Sequence, residues 1–190
     1  SIFITLLIGV FFKKSYNLVT KITYIILILS ILIILNSFND SGKLFLDSYV
    51  SNSFTNFFKI LVLIGTFFVL LISQNFMKKT KINCFEYPLL ILLSILGMFI
   101  MIGSNDLILF YLGLELQSLS LYILASLDRD NIKSNESGLK YFILSALSSG
   151  LLLYGCSLLY GFTGSTNFDI INLKTNSTNT GAVFAMVFIL

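Results

Sequence analysis

A single carboxylate, Glu115, interrupts the apolar run Asp106-Leu-Ile-Leu-Phe-Tyr-Leu-Gly-Leu-Glu-Leu-Gln-Ser-Leu-Ser-Leu-Tyr-Ile-Leu-Ala125. It stands about ten residues from either end, so a helix built from this run carries it to the middle of a bilayer. A charge at that depth costs roughly 2.5–3.5 kcal/mol on insertion scales. Such a carboxylate needs a proton, a partner or a wet path, which makes it the leading functional clue in the chain. Tyr111, Ser118 and Tyr122 fall four before, three after and seven after Glu115. At 100° per residue all four share one helix face, and Gln117 lies off it.

A second stripe follows on the next apolar segment: Ser137, Tyr141, Ser145 and Ser148, continued by Gly155. Hydroxyls on such a face hold water, and small residues let helices approach closely. Lys140 lies at the edge of this stripe, about 60° from Ser137. If the two helices are sequential and antiparallel, Glu115 is about 18 Å and Lys140 about 8 Å from the same helix ends. The remaining gap of about 10 Å makes direct pairing marginal and a water-bridged link easier. The opposed pulls of burial and of a nearby cation poise a carboxylate to exchange protons. Glu115 and Lys140 are therefore the candidate relay, with Tyr111, Ser118, Tyr141, Ser145 and Ser148 as its polar lining.

Plainer readings exist for each group. Lys140 and Lys59 both lie about five residues inside apolar segments, where a lysine can snorkel to the interface. The serine face can be close packing alone, and a protonated Glu115 can simply bond two helices together. Asp106 begins its run and reads as a helix N-cap.

The elements that would position these residues are membrane helices. The chain is 56% hydrophobic and 11% charged, where a soluble domain is about 25% charged. Its mean hydropathy is +0.93. The apolar runs have helical length, so the expected fold class is an all-α, polytopic transmembrane bundle. Five full spans and two partial ones are expected: 1–12 (partial), 21–38, 54–76, 85–103, 106–127, 136–162 and 181–190 (partial), forming one transmembrane domain. The polar stretch Lys174-Thr-Asn-Ser-Thr-Asn-Thr180 reads as a solvated linker. With no His, the chain supplies no histidine metal ligand, haem ligand or Ser-His-Asp triad. Cys84 and Cys156 form no CxxC pair, so no metal site or cofactor is expected. Nucleic acid is not an expected partner, because no basic patch is interleaved with aromatic residues.

Orientation follows from Lys and Arg. Lys13, Lys14, Lys21, Lys78, Lys79, Lys81, Arg129 and Lys133 fall in the loops after the first, third and fifth spans. Only Lys43 and Lys174 fall in the loops after the second, fourth and sixth. The first group is expected on the cytoplasmic or matrix side. The N-x-S/T sequons at Asn39, Asn135 and Asn176 carry no weight in so Asn-rich a chain. Both terminal runs are too short to span, so a further segment, from a separate chain or a missing part, is expected beyond Leu190.

The segments Asp106–Tyr122, Glu136-Ser-Gly-Leu-Lys-Tyr-Phe-Ile-Leu-Ser-Ala-Leu-Ser-Ser-Gly-Leu-Leu-Leu-Tyr-Gly155 and Leu159-Tyr-Gly-Phe-Thr-Gly-Ser-Thr-Asn-Phe168 resemble subunit 2 of respiratory NADH:ubiquinone oxidoreductase, complex I. The resemblance is strong over about a third of the chain; Phe57-Phe-Lys59-Ile-Leu adds a weaker echo. It implies an antiporter-like subunit that couples quinone reduction to proton translocation, here its N-terminal helices and most of the first five-helix inverted repeat. By that resemblance Glu115 is the fifth-helix glutamate and Lys140 the lysine of the following helix. The seventh-helix lysine and the second repeat lie beyond Leu190. NADH, FMN, iron–sulfur clusters and ubiquinone are implied for the whole complex only, and the other membrane subunits are implied partners. The implied location is the mitochondrial inner membrane, with a bacterial plasma membrane as the other candidate. A cation/proton antiporter subunit and a non-catalytic membrane scaffold are the competing functions.

Overall fold

The computed structural model describes residues 2–11, 15–80, 84–175 and 180–189. Lys13, Lys14 and Lys81, the Asn176 sequon and Leu190 lie outside them, as do the side chains of Lys78 and Lys79. The helices are α1 (Ile2–Phe11), α2 (Ser15–Asn36), α3 (Ser53–Thr80), α4 (Glu86–Gly103), α5 (Leu107–Ala125), α6 (Ile132–Thr163), α7 (Phe168–Lys174) and α8 (Thr180–Ile189). Helices α2 to α6 are each long and apolar enough to cross a membrane. A small antiparallel hairpin, β1 (Gly42–Leu44) and β2 (Tyr49–Ser51), fills the connection between α2 and α3.

Helix α4 is the centre. Half of it is buried, whereas the most apolar stretch of every other long helix is at most 28% buried. One core joins Leu27 of α2, Leu63 and Leu70 of α3, and Ile91, Leu92 and Ile95 of α4. A second joins Leu107 at the start of α5, Cys156 and Leu159 of α6, Ile171 of α7, and Ala182 and Ala185 of α8. Many large apolar side chains, such as Ile33, Ile72, Leu144 and Leu147, point outward. On spanning helices such side chains meet hydrocarbon or further protein, where backbone groups must already be satisfied within the helix.

Glycines draw α4 and α5 together. A Cβ on Gly97 would lie 2.6 Å from the Gln117 amide nitrogen and 2.7 Å from the Gly113 carbonyl oxygen. One on Gly113 would lie 2.8 Å from the Met101 nitrogen. The two backbones therefore touch with no side chain between them. This contact fixes α5, and with it Glu115, against the central helix.

The outer ends are tied by short polar links. Asp106 caps α5 by accepting from the Ile108 N–H at 2.8 Å, and also accepts from the Thr166 hydroxyl at 2.6 Å. Asn105 N–H donates to the Ser48 carbonyl of the hairpin turn, and Phe168 N–H donates to the Asn105 carbonyl. Helix α6 ends at Gly164, whose φ of 67° is left-handed, the geometry glycine takes without a steric cost. Lys174 then donates to the Thr163 carbonyl at 2.5 Å.

Four features differ from the segments read off the sequence. Helix α2 starts at Ser15, six residues before the expected span, so Lys21 lies within it rather than in a loop. Helix α6 starts at Ile132, four residues before the apolar run, because Asn131 accepts from the Lys133 N–H and caps it there. Residues 168–174, read as part of a loop and linker, open with one short helix capped by Asn167. The hairpin replaces a plain loop, its turn closed by Lys43 and Asp47 at 3.4 Å.

Candidate proton-transfer site

Helices α5 and α6 run antiparallel, and side-chain contacts set their register. The Tyr122 hydroxyl donates to the Ser145 hydroxyl. The Tyr122 and Tyr141 rings meet edge to face at 4.9 Å. Ser134 Oγ donates to the Ala125 carbonyl at 2.9 Å, and Gly138 packs on Ser126. The Tyr111 hydroxyl has Glu115 and Ser149 as its polar neighbours. Taken together, these contacts bring Glu115 level with Ser148 and Ser149.

Two members of the expected lining bond to their own helix. Ser118 Oγ donates to the Glu115 carbonyl at 3.0 Å, and Ser148 Oγ donates to the Ser145 carbonyl at 2.9 Å. Glu115, Tyr111, Ser118 and Ser145 are half-buried, Tyr122 is buried, and Tyr141 and Ser148 are exposed. The α5 stripe thus faces α6, but part of the α6 stripe turns outward from the bundle.

Lys140 is not beside Glu115. It pairs with Glu136, one turn earlier on α6, at 2.6 Å, and both side chains are mostly exposed. In the α5–α6 register it lies eight residues, roughly 12 Å, from the level of Glu115. The structure therefore brings together Tyr111, Glu115 and Ser149, and separately Tyr122, Tyr141 and Ser145, and leaves Lys140 apart from both.

A cavity of about 350 Å³ opens beside this level. Leu114, Ser148, Ser149 and Leu152 line one side, and Val187 and Phe188 of α8 the other. Serine hydroxyls on a wall of this size supply polar partners for water. Among the described residues, no group of three His, Cys, Asp or Glu is placed to hold a metal ion.

Sequence reasoning missed a second polar centre. Lys59 does not snorkel: it is 6% exposed. Its ammonium donates to Asn56 Oδ1 at 3.4 Å and sits 5.2 Å from the centre of the Tyr49 ring. Asn56 in turn donates to the carbonyls of Ser37 and Phe38, and its Oδ1 also accepts from Ser51. Among the described residues no carboxylate lies within ion-pair distance of Lys59. The available signal was Asn56, three residues before Lys59 and hence on its face.

Comparison with known proteins bears on the family and the fold. Residues 104–190 match the family model of the NADH:quinone oxidoreductase/Mrp antiporter transmembrane region. NADH-quinone oxidoreductase subunit N of Pelagibacter ubique is 56% identical over the whole chain, which covers 41% of that relative. Subunit N of Bartonella bacilliformis is 48% identical over 97% of the chain and 38% of its own length. The chain thus spans about two fifths of the curated relatives it matches. Its fold superposes with a TM-score of 0.82 on a chain of respiratory complex I from Thermus thermophilus, at 26% identity over 100% of this chain and 40% of that one. It also shares its fold, with a TM-score of 0.77 at 20% identity, with a chain of an archaeal membrane-bound sulfane sulfur reductase; the match covers 99% of this chain and 40% of that one. By sequence and by fold, then, these residues are a multi-pass, antiporter-like membrane segment similar to the N-terminal portion of subunit N of NADH-quinone oxidoreductase.

Proposed function

We propose that the chain is the N-terminal part of a proton-translocating membrane subunit of complex I, with Glu115 as its proton-exchanging carboxylate. The observation that carries this reading is a carboxylate at mid-helix, beside Tyr111, level with Ser148 and Ser149 and with the adjoining cavity. A glutamate held there by packing alone has no need of an aqueous-sized space at its own height. The cavity supports delivery of protons through water held by the serines. The helices of the rest of the subunit and the other membrane subunits are the proposed partners, and NADH, FMN, iron–sulfur clusters and quinone belong to the remainder of the complex. The test is the ratio of protons moved to electrons transferred in the assembled complex after neutralising Glu115. The complex I relatives favour this reading over a cation/proton antiporter subunit.

Lys140 serves in this proposal as a group that must move, or act through water, to reach Glu115. Its exposed pairing with Glu136 costs little to open, since such pairs contribute about 0–1 kcal/mol. Lys140→Met is expected to lower proton translocation less than Glu115→Gln does and, because its ion pair is exposed, to leave assembly intact. Pumping measured in vesicles at matched quinone reductase rates checks this; total loss of pumping would make Lys140 an obligatory part of the relay.

The matched relatives named here are bacterial, which favours a plasma membrane over the mitochondrial inner membrane. The proposed topology puts the Cys84 loop on the cytoplasmic face and the Lys43 hairpin on the other. Burial raises the Cys84 thiol above its ordinary range, and the Glu86 carboxylate adds to this while Arg129 opposes it. A raised value means less thiolate at a given pH. A Cys156→Ala chain is therefore expected to react with an impermeant maleimide only from the cytoplasmic side. Its rate should rise at a higher pH than that of a free cysteine, which titrates near about 8.5. Labelling from the Lys43 side would reverse the topology.

A further inference from the structure

We propose that the cleft where α4 begins and α5 ends binds the headgroup of a phospholipid carrying a primary amine. The cleft has a volume of about 350 Å³, within the range of small-ligand pockets. Glu86, Arg129, Ser126 and Asn135 line it, with Leu90 and Ile123. Glu86 is the first residue of α4, and Arg129 follows the end of α5 at Ala125. The polar rim thus lies where two spanning helices meet water, and Leu90 and Ile123 lie about one turn deeper, toward the hydrocarbon. A headgroup above and acyl chains below match this division.

The charges select the headgroup. Glu86 and Arg129 face each other at 3.8 Å, with the arginine side chain 84% exposed. A contact that long and that wet is weak. A zwitterion inserted between them replaces it with two charge-assisted contacts: phosphate on the guanidinium and ammonium on the carboxylate. A primary ammonium donates hydrogen bonds to Glu86; a trimethylated one has no N–H to donate.

This site goes beyond the proton reading and does not depend on it. The full-length protein in its native assembly is exchanged into nanodiscs holding equal amounts of phosphatidylethanolamine, phosphatidylcholine and phosphatidylglycerol, and retained lipid is counted by native mass spectrometry. Phosphatidylethanolamine is expected to be retained about fivefold over phosphatidylcholine. Glu86→Gln should bring that ratio close to one without changing phosphatidylcholine retention, and Arg129→Gln should lower retention of both. Added O-phosphoethanolamine, which has the same headgroup and no acyl chains, should leave the lipid bound. Equal retention of the two lipids by the unaltered protein, or indifference to both substitutions, overturns the proposal. Displacement by O-phosphoethanolamine also overturns it, assigning the cleft to a soluble phosphorylated amine.

Discussion

Gly113→Leu is expected to abolish assembly of the bundle. The contact it breaks is backbone on backbone: a Cβ at Gly113 would meet the Met101 nitrogen at 2.8 Å and the Gly97 carbonyl at 2.9 Å. Neither atom can rotate away, so α4 and α5 must separate along their length. Overpacking of a core costs about 1–3 kcal/mol where side chains can adjust, and here they cannot. The loss is therefore expected at about 3 kcal/mol or more, comparable with a large part of a domain's net stability. The matched control is Gly150→Leu, where an added Cβ meets nothing within 4 Å. Membrane-extracted yield and resistance to proteolysis of the two variants check this. Equal yields would mean that α4 and α5 pack less closely than their glycines indicate.

Glu115→Gln is expected to leave the complex assembled and to cut proton translocation to about a tenth or less, as loss of a proton-transfer group does. Glutamine preserves the size of the side chain and can still hydrogen-bond to Tyr111, but it has no proton to exchange. Because Glu115 is half-buried on the face toward α6, its replacement by a neutral amide of equal size removes a costly charge rather than a packing contact. Quinone reductase activity and pumping, measured in the same vesicles, separate the two effects. Full pumping with an intact Glu115→Gln complex would leave only a scaffolding role for this residue.

The legible parts of this site were those whose signal is local. Glu115 stands out because one carboxylate among leucines violates the solvent preference of everything around it. Asp106 was legible as an N-cap because capping depends on the next few residues, and the Ile108 N–H takes that role at 2.8 Å. Lys140 shows a local signal passed over. Its distance from Glu115, judged at about 10 Å from helix ends, is close to the roughly 12 Å of the α5–α6 register. What went unread is Glu136, four residues before Lys140 on the same helix, and that nearer carboxylate takes the lysine. Lys59 shows the opposite failure. Its position near a helix end suggested an escape to water, yet the hairpin folds back and places Tyr49 over it, and Asn56, one turn earlier on α3, accepts from it. The hairpin itself has no Asn-Gly or Asp-Gly turn to announce it; Phe45, Leu46 and Asp47 take up positive φ instead. Tertiary contacts such as Ser48 with Asn105 add to the local Lys43–Asp47 pair and the Ser48 N–H to Phe45 carbonyl bond in holding such a turn in place.

The central claim is that Glu115 gains and loses a proton during turnover. Redox-induced infrared difference spectroscopy of the assembled complex tests it most directly, because a protonated carboxyl and a carboxylate absorb in separate regions. The account predicts a carboxyl difference band that appears on turnover, shifts in heavy water and is absent from Glu115→Gln. A difference spectrum identical in the two proteins would contradict it.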